Sequence, residues 1–99
     1  METVVADPML TSRRTDILRI AARYGIENVR VFGSFARGKN RPDSDLDLLV
    51  DLEPGRSLLD IIAAKQDLED LLKRRVDVVT ERSLSPYFRD SVTQEVVYL

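Results

Sequence analysis

Residues 45–52, DLDLLVDL, constrain the fold most strongly because apolar and acidic side chains alternate along them. One side of an extended chain would carry Leu46, Leu48, Val50 and Leu52, and the other side Asp45, Asp47, Leu49 and Asp51. A period of two residues is typical of a strand with one face buried. The segment therefore predicts a half-buried strand that displays a row of acids on its other face.

The rest of the chain predicts elements in the order helix, strand, short helix, strand, helix, strand, helix. The predicted bounds are a first helix from Thr11 or Ser12 to a stop at Gly25, a strand over 28–32, a short helix from Ser34, the longest helix over 58–72 behind a Ser57–Asp60 cap, a strand over 75–80, and a last helix from Pro86 to about Glu95. This order indicates an α/β (α+β) domain with a small mixed sheet of about three strands flanked by about four helices.

The apolar tail, residues 96–99, leaves two alternatives open. It could pack on its own domain or offer an apolar patch to a partner. At 99 residues the chain has the usual size of one domain, so we expect residues 1–99 to form a single domain.

The chain contains no Cys, His or Trp, and these absences exclude several kinds of chemistry. There is no thiolate nucleophile, zinc finger, Ser-His-Asp triad or imidazole base. Catalysis would depend on carboxylates, hydroxyls, lysines and arginines. Mg²⁺, with Mn²⁺ as the alternative, is the kind of ion that such oxygen ligands favour.

Charge and N-terminal sequence guide the expected location and partners. The formal net charge is −2, which gives no reason to expect direct nucleic-acid binding. METVVADPML lacks the basic start and apolar run of a signal peptide, and no stretch is long and apolar enough to span a membrane. We therefore expect a cytoplasmic protein, and the sequence gives no basis for assigning an oligomeric state.

Three aspartates form the candidate catalytic group. Asp45 and Asp47 lie on one face of the same predicted strand, with Cα atoms about 6.5–7 Å apart. Asp77 interrupts the apolar run of another predicted strand. Carboxylates from neighbouring strands can hold two divalent ions for displacement at phosphorus, and we assign all three as metal ligands and catalytic residues. Asp77 is also the candidate to accept a proton from the attacking hydroxyl.

Gly33 and Ser34 form the candidate phosphate site. They directly follow a predicted strand, where glycine allows close approach of phosphate and the start of a helix favours anions. Arg37 is the first candidate to neutralise further phosphate charge, whereas Lys39 and Arg41 are expected to face water. Taken separately, each motif has an ordinary interpretation. Gly33-Ser34 could be only a tight turn, and Asp45 and Asp47 could be the solvated face of an edge strand.

The combination of GSFARG, ten residues between Ser34 and Asp45, DLDLLV and RVDVV resembles the DNA polymerase beta-type nucleotidyltransferase superfamily. The resemblance is greatest to its minimal, single-domain MntA-like antitoxins. It implies the polymerase beta-like fold, triphosphate binding at Gly33 and Ser34, and metal binding at Asp45, Asp47 and Asp77. The ending, residues 94–98, follows the family's usual C-terminus only loosely.

The resemblance also implies an activity and a partner. It implies metal-dependent transfer of AMP from ATP to a hydroxyl, a tyrosine of a HEPN-domain toxin, by the antitoxin of a type VII-like toxin-antitoxin pair. The alternative is a non-catalytic antitoxin that neutralises its partner by masking it. An aspartate-nucleophile phosphatase is disfavoured, because it would carry Asp-x-Asp on its first strand and need more downstream machinery.

Overall fold

A four-stranded mixed sheet forms the centre of the computed structural model, which describes residues 4–99. In chain order the strands are β1 (Ile26–Phe32), β2 (Leu46–Leu52), β3 (Val76–Val79) and β4 (Val97–Tyr98). Their order across the sheet is β3-β2-β1-β4, with β2 parallel to β3 and antiparallel to β1, and β4 antiparallel to β1. The predicted mixed sheet is confirmed, with one strand more than the three expected.

The helices are α1 (Pro8–Arg23), α2 (Leu58–Leu72), α3 (Pro86–Glu95) and a 3₁₀ helix at Glu81–Ser83. The bounds of α2 and α3 agree with the predicted ones. In the predicted cap of α2, the Ser57 hydroxyl accepts from the Leu59 amide at 3.2 Å, and the Asp60 carboxylate accepts from the Ser57 amide at 3.0 Å. Local capping chemistry thus fixed the start of this helix.

α1 begins earlier than predicted. Asp7 caps it, since its Oδ1 accepts from the amides of Met9 at 3.0 Å and Leu10 at 3.1 Å, and Pro8 occupies the first helical position. With 16 residues against 15 in α2, α1 is the longer helix, so the prediction that α2 is the longest is wrong. The predicted stop at Gly25 is correct, and this residue adopts a φ of +69°.

The short helix predicted from Ser34 is absent, and residues 33–38 form consecutive turns instead. The Gly33 carbonyl accepts from the amides of both Ala36 and Arg37 at 3.1 Å. Gly33 and Gly38 bound the segment with φ values of +74° and +69°, in the left-handed region that a right-handed helix cannot include. The backbone between them is therefore too short to propagate a helix.

The main core lies between the sheet and helices α1 and α2, which also contact each other. Its fully buried side chains include Leu10, Ile17, Val31, Leu46, Leu48, Leu68 and Val76. The acids of β2 and β3 alternate with these residues and so lie on the other face of the sheet. In the chain from residue 4 onward, no helix is long and apolar enough to cross a membrane.

The C-terminal tail packs on its own domain, which decides between the two alternatives left open for it. Val97 of β4 pairs with Val31 of β1, and Leu99 is buried in the core. The Val5 amide donates to the Tyr98 carbonyl at 2.7 Å, and Val4 forms a parallel bridge to Tyr98. The two ends of the described chain therefore meet at the β4 edge of the sheet.

Candidate active site

Two of the three predicted acids are neighbours in the sheet. The parallel register of β2 and β3 pairs Asp47 with Asp77, between the apolar pairs Leu46–Val76 and Leu48–Val78. Both acids consequently lie on the face opposite the core, and their carboxylates are close enough to share a hydrogen bond when one is protonated. Strand alternation and strand register together produce this pair.

Asp45 joins this pair from the residue just before β2, rather than from within the strand as predicted. Its charge acts on Asp47. Burial, followed by repulsion and hydrogen bonding from Asp77 and repulsion from Asp45, raises the pKa of Asp47 from 3.8 to about 6, against a smaller lowering by Arg37. The structure thus brings the three predicted acids and Arg37 into one electrostatic group.

Gly33 lies against the acidic group. It follows Phe32, which pairs with Asp47 across β1 and β2. A Cβ atom at residue 33 would overlap the Asp47 carboxylate, and the φ of +74° is itself unfavourable for other residues. Only glycine allows the turn and the acid to approach so closely.

Contacts of Phe35 and Arg74 hold the turn from Gly33 to Gly38 in place. Phe35 is buried, and the Arg74 guanidinium lies over its ring, 5.2 Å from the centroid. Arg74 also donates to the Ser44 carbonyl at 3.1 Å, next to Asp45. The cation–π contact and this hydrogen bond together connect the turn to the segment that leads into β2. Ser34 is half-buried at the start of the turn, without the helix dipole that the prediction invoked.

Arg37 is exposed and forms an ion pair that sequence reasoning missed. Its Nη1 lies 3.0 Å from Glu95 Oε2, while Glu95 Oε1 accepts from the Gly33 amide at 2.9 Å. One carboxylate therefore bridges the two groups predicted to bind phosphate. Lys39 and Arg41 are exposed, as predicted.

A clamp on α2 holds the start of β3 in place. Glu69 Oε2 accepts from the Val76 amide at 3.0 Å, and Lys65 Nζ donates to the Val76 carbonyl at 2.8 Å and to Glu69 at 3.0 Å. These bonds fix the backbone next to Asp77. They were not predicted, because a Lys–Glu pair spaced by four residues on a helix is usually only a surface pair.

Asp45, Asp47 and Asp77 fit a hard divalent cation by their chemistry, since all three offer carboxylate oxygens and the charges of Asp77 and Asp45 repel that of Asp47. In the conformation described for residues 4–99, however, no three acidic side chains already stand in positions to hold a metal ion. Metal binding would require the carboxylates of Asp45, Asp47 and Asp77 to draw closer, and the side chain of Asp77 is exposed.

Comparison with known proteins identifies the family. The sequence profile of the nucleotidyltransferase domain matches residues 15–99. The chain belongs to the nucleotidyltransferase domain family. This nucleotidyltransferase is 40% identical over 93 residues to the protein adenylyltransferase MntA of Thermococcus cleftensis, across 94% of this chain and 91% of that protein.

Solved structures agree with this assignment. A structure provisionally assigned as a minimal nucleotidyltransferase is 53% identical, with a TM-score of 0.80 over 91% of this chain and 92% of that one. A complex of the tri-AMPylated Shewanella oneidensis HEPN toxin with MNT antitoxin contains a chain of the same fold, with a TM-score of 0.67 at 19% identity over 89% of this chain and 69% of that one. The resemblance to minimal nucleotidyltransferases and the predicted fold class are confirmed.

Proposed function

We propose that this nucleotidyltransferase transfers AMP from ATP to a tyrosine hydroxyl of a HEPN-domain toxin, and thereby acts as its antitoxin. The name of the Thermococcus cleftensis relative supports protein adenylylation. The Shewanella oneidensis complex, in which the toxin carries AMP, supports a HEPN partner. The observation that carries the proposal is the pairing of Asp47 with Asp77 across β2 and β3, with Asp45 just before β2 and Gly33 against the Asp47 carboxylate.

The acidic group of Asp45, Asp47 and Asp77 favours a divalent ion as its counter-charge. Burial, followed by repulsion from Asp77 and Asp45, raises the pKa of Asp47, so a bound cation would favour the charged form of this group. Asp45, Asp47 and Asp77 would hold Mg²⁺, with Mn²⁺ as the alternative. When bound, such ions stabilise charge on the phosphate that undergoes displacement and favour ionisation of the acceptor hydroxyl.

The chain's own residues supply phosphate binding and access for the acceptor. The Gly33 amide, the Ser34 hydroxyl and Arg37 would bind the triphosphate tail. Asp77 lies on β3, an edge strand, and its side chain is exposed. A tyrosine on another protein can therefore reach this carboxylate, which would accept the hydroxyl proton while the leaving pyrophosphate stays near Gly33 and Arg37.

The test is incorporation of label from radiolabelled ATP into the cognate HEPN toxin, in the presence of Mg²⁺. The wild-type protein should label the toxin, and replacement of the acceptor tyrosine by Phe should abolish labelling. Asp47→Asn should lower the rate by about 100-fold or more, the scale expected for loss of a group that stabilises the transition state. Asp43→Asn, which removes an exposed acid close in sequence, should leave the rate unchanged.

Toxin activity measured in parallel separates chemistry from masking. If chemistry is required, Asp47→Asn should still bind the toxin but should no longer neutralise it. Full neutralisation by this variant, with no label on the toxin, would overturn the proposal in favour of the masking alternative. An unlabelled toxin in the presence of folded wild-type protein would also refute adenylylation.

A further inference from the structure

The carboxylate of Glu95 occupies the position of an anion at the proposed phosphate site. Its two oxygens are used separately, one by the Gly33 amide at 2.9 Å and the other by Arg37 at 3.0 Å. Backbone amides and guanidinium groups are also donors that bind phosphate in proteins. Glu95 thus satisfies both donors from within the chain.

The fold delivers Glu95 to this place. β4 pairs with β1 through Arg30–Tyr98 and Val31–Val97. This pairing places the end of α3, which lies just before β4, beside the turn that follows β1. The Glu95 side chain then spans the remaining distance to the Gly33 amide and to Arg37.

The position of Glu95 on its own helix is unfavourable without these partners. It is the last residue of α3, where the helix dipole favours a cation, and the last turn of α3 contains no basic residue. The Gly33 amide and Arg37 provide the compensation. If a competing anion takes the Gly33 amide and Arg37, the Glu95 carboxylate is free to turn toward solvent, because its side chain is already partly exposed.

We propose that Glu95 is an internal competitor for the phosphate tail of the nucleotide, so that nucleotide binding requires its carboxylate to leave Gly33 and Arg37. This inference rests on the proposed function only in taking a nucleoside triphosphate as the ligand. A single N–H cannot donate fully to a carboxylate and a phosphate at once, and the two anions repel each other. In the free protein the Glu95 carboxylate occupies the phosphate site, and we call this the closed state. The apparent affinity for the nucleotide then equals the intrinsic affinity multiplied by the fraction of molecules that are not closed.

Binding of Mg-ATP by isothermal titration calorimetry tests the inference. Glu95→Gln removes the charge with little change of shape, and Glu95→Asp keeps the charge but shortens the side chain so that it no longer reaches the Gly33 amide. Both variants should bind about fivefold more tightly than the wild type, the change expected when a mostly populated closed state is removed. Asp90→Asn, which removes an exposed acid from the same helix, should bind like the wild type.

The outcomes distinguish this inference from alternatives. Tighter binding by Glu95→Gln alone would assign the effect to charge repulsion at a distance and overturn internal competition. Weaker or unchanged binding by both Glu95 variants would make Glu95 a support of the turn and overturn it as well. If the variants bind ATP more tightly but no HEPN toxin is ever labelled, adenylylation fails while internal competition stands. Absence of Mg-ATP binding by the wild type and all three variants would refute both proposals.

Discussion

The surroundings of Asp47 disfavour the ionised form of its carboxylate. Burial and the neighbouring Asp77 and Asp45 raise its pKa from 3.8 to about 6. The folded protein therefore binds this proton more tightly than the unfolded chain does. The resulting stabilisation is fully present below about pH 4 and is lost as the pH rises toward 6.

Asp47→Asn should consequently stabilise the metal-free protein at pH 7. The expected gain in the free energy of unfolding is about 1 kcal/mol, allowing for the solvent that reaches this half-buried group. The gain should disappear near pH 4, where the wild-type side chain is itself neutral. Urea unfolding in the presence of EDTA at both pH values measures this difference, and a destabilised variant at pH 7 would contradict the electrostatic account.

Gly33→Ala should destabilise the protein through two separate effects. The left-handed backbone costs an alanine about 1–2 kcal/mol, and the added Cβ overlaps the Asp47 carboxylate, which must then move. Gly38→Ala is the matched control, because Gly38 has a φ of +69° but no heavy atom within 4 Å of an added Cβ. Urea unfolding should show a larger loss for Gly33→Ala. Equal losses would mean that the contact with Asp47 has no energetic consequence.

Residue positions were predictable where they followed from strand periodicity. Alternation in residues 45–52 put Asp47 on the face opposite the core, and Asp77 joined it through the register of two apolar strands. Glu95 was missed because its contact with Gly33 spans 62 residues and depends on β4, a strand of two residues without a pattern. The available signal was an acid in the last turn of a helix, where it is unfavourable.

At the level of elements, the clamp between α2 and β3 holds Asp77 in register. The Val76 amide, Lys65 and Arg75 lower the pKa of Glu69, with the Val76 hydrogen bond as the largest cause. A lowered pKa in the folded state means that the charged form is favoured there. The stabilisation is present above the ordinary value of 4.5 and is lost as the pH falls through the lowered pKa.

Glu69→Gln should therefore lower the urea midpoint at pH 7, with a difference from wild type that shrinks as the solution is acidified below the ordinary pKa of Glu69. The same variant should shift the backbone amide resonance of Asp77, since the strand start loses a charged acceptor. Asp70→Asn changes the adjacent exposed acid and should do neither. A midpoint difference that grows on acidification would show that the charge of Glu69 is not stabilising.

Elements were predictable where their ends carry local chemistry. α2 and α3 agree with the sequence because Ser57, Asp60 and Pro86 act within a few residues. The same chemistry at Asp7 and Pro8 marks the start of α1, although the interpretation placed it later. The turns at residues 33–38 could not be separated from a short helix, since the decisive φ values of their glycines are set by contacts such as that with Asp47.

For the molecule as a whole, β4 joins the C-terminal residues to the core. Leu99 is only 5% exposed, and its carbonyl accepts from Arg14 Nε at 2.7 Å, which ties the tail to α1. A two-residue strand at the sheet edge would otherwise fray. Burial of the residue that follows it makes the edge stable.

Leu99→Ala should accordingly reduce the free energy of unfolding by about 2–4 kcal/mol, as a cavity replaces a buried side chain. Tyr87→Ala removes a side chain from a residue that is 93% exposed, and its effect should stay within about 0.5 kcal/mol. Thermal unfolding followed by circular dichroism compares the two. A Leu99→Ala loss as small as that of Tyr87→Ala would mean that the tail does not contribute to the core.

The bridge between Val4 and Tyr98 places the two ends of the described chain side by side. A short glycine-rich linker could therefore connect them, and new termini could be opened at the exposed Pro54–Gly55 turn between β2 and α2. Such a circular permutant would keep every strand neighbour while it changes the order in which the strands are synthesised. It would turn β4 from a terminal strand into an internal one.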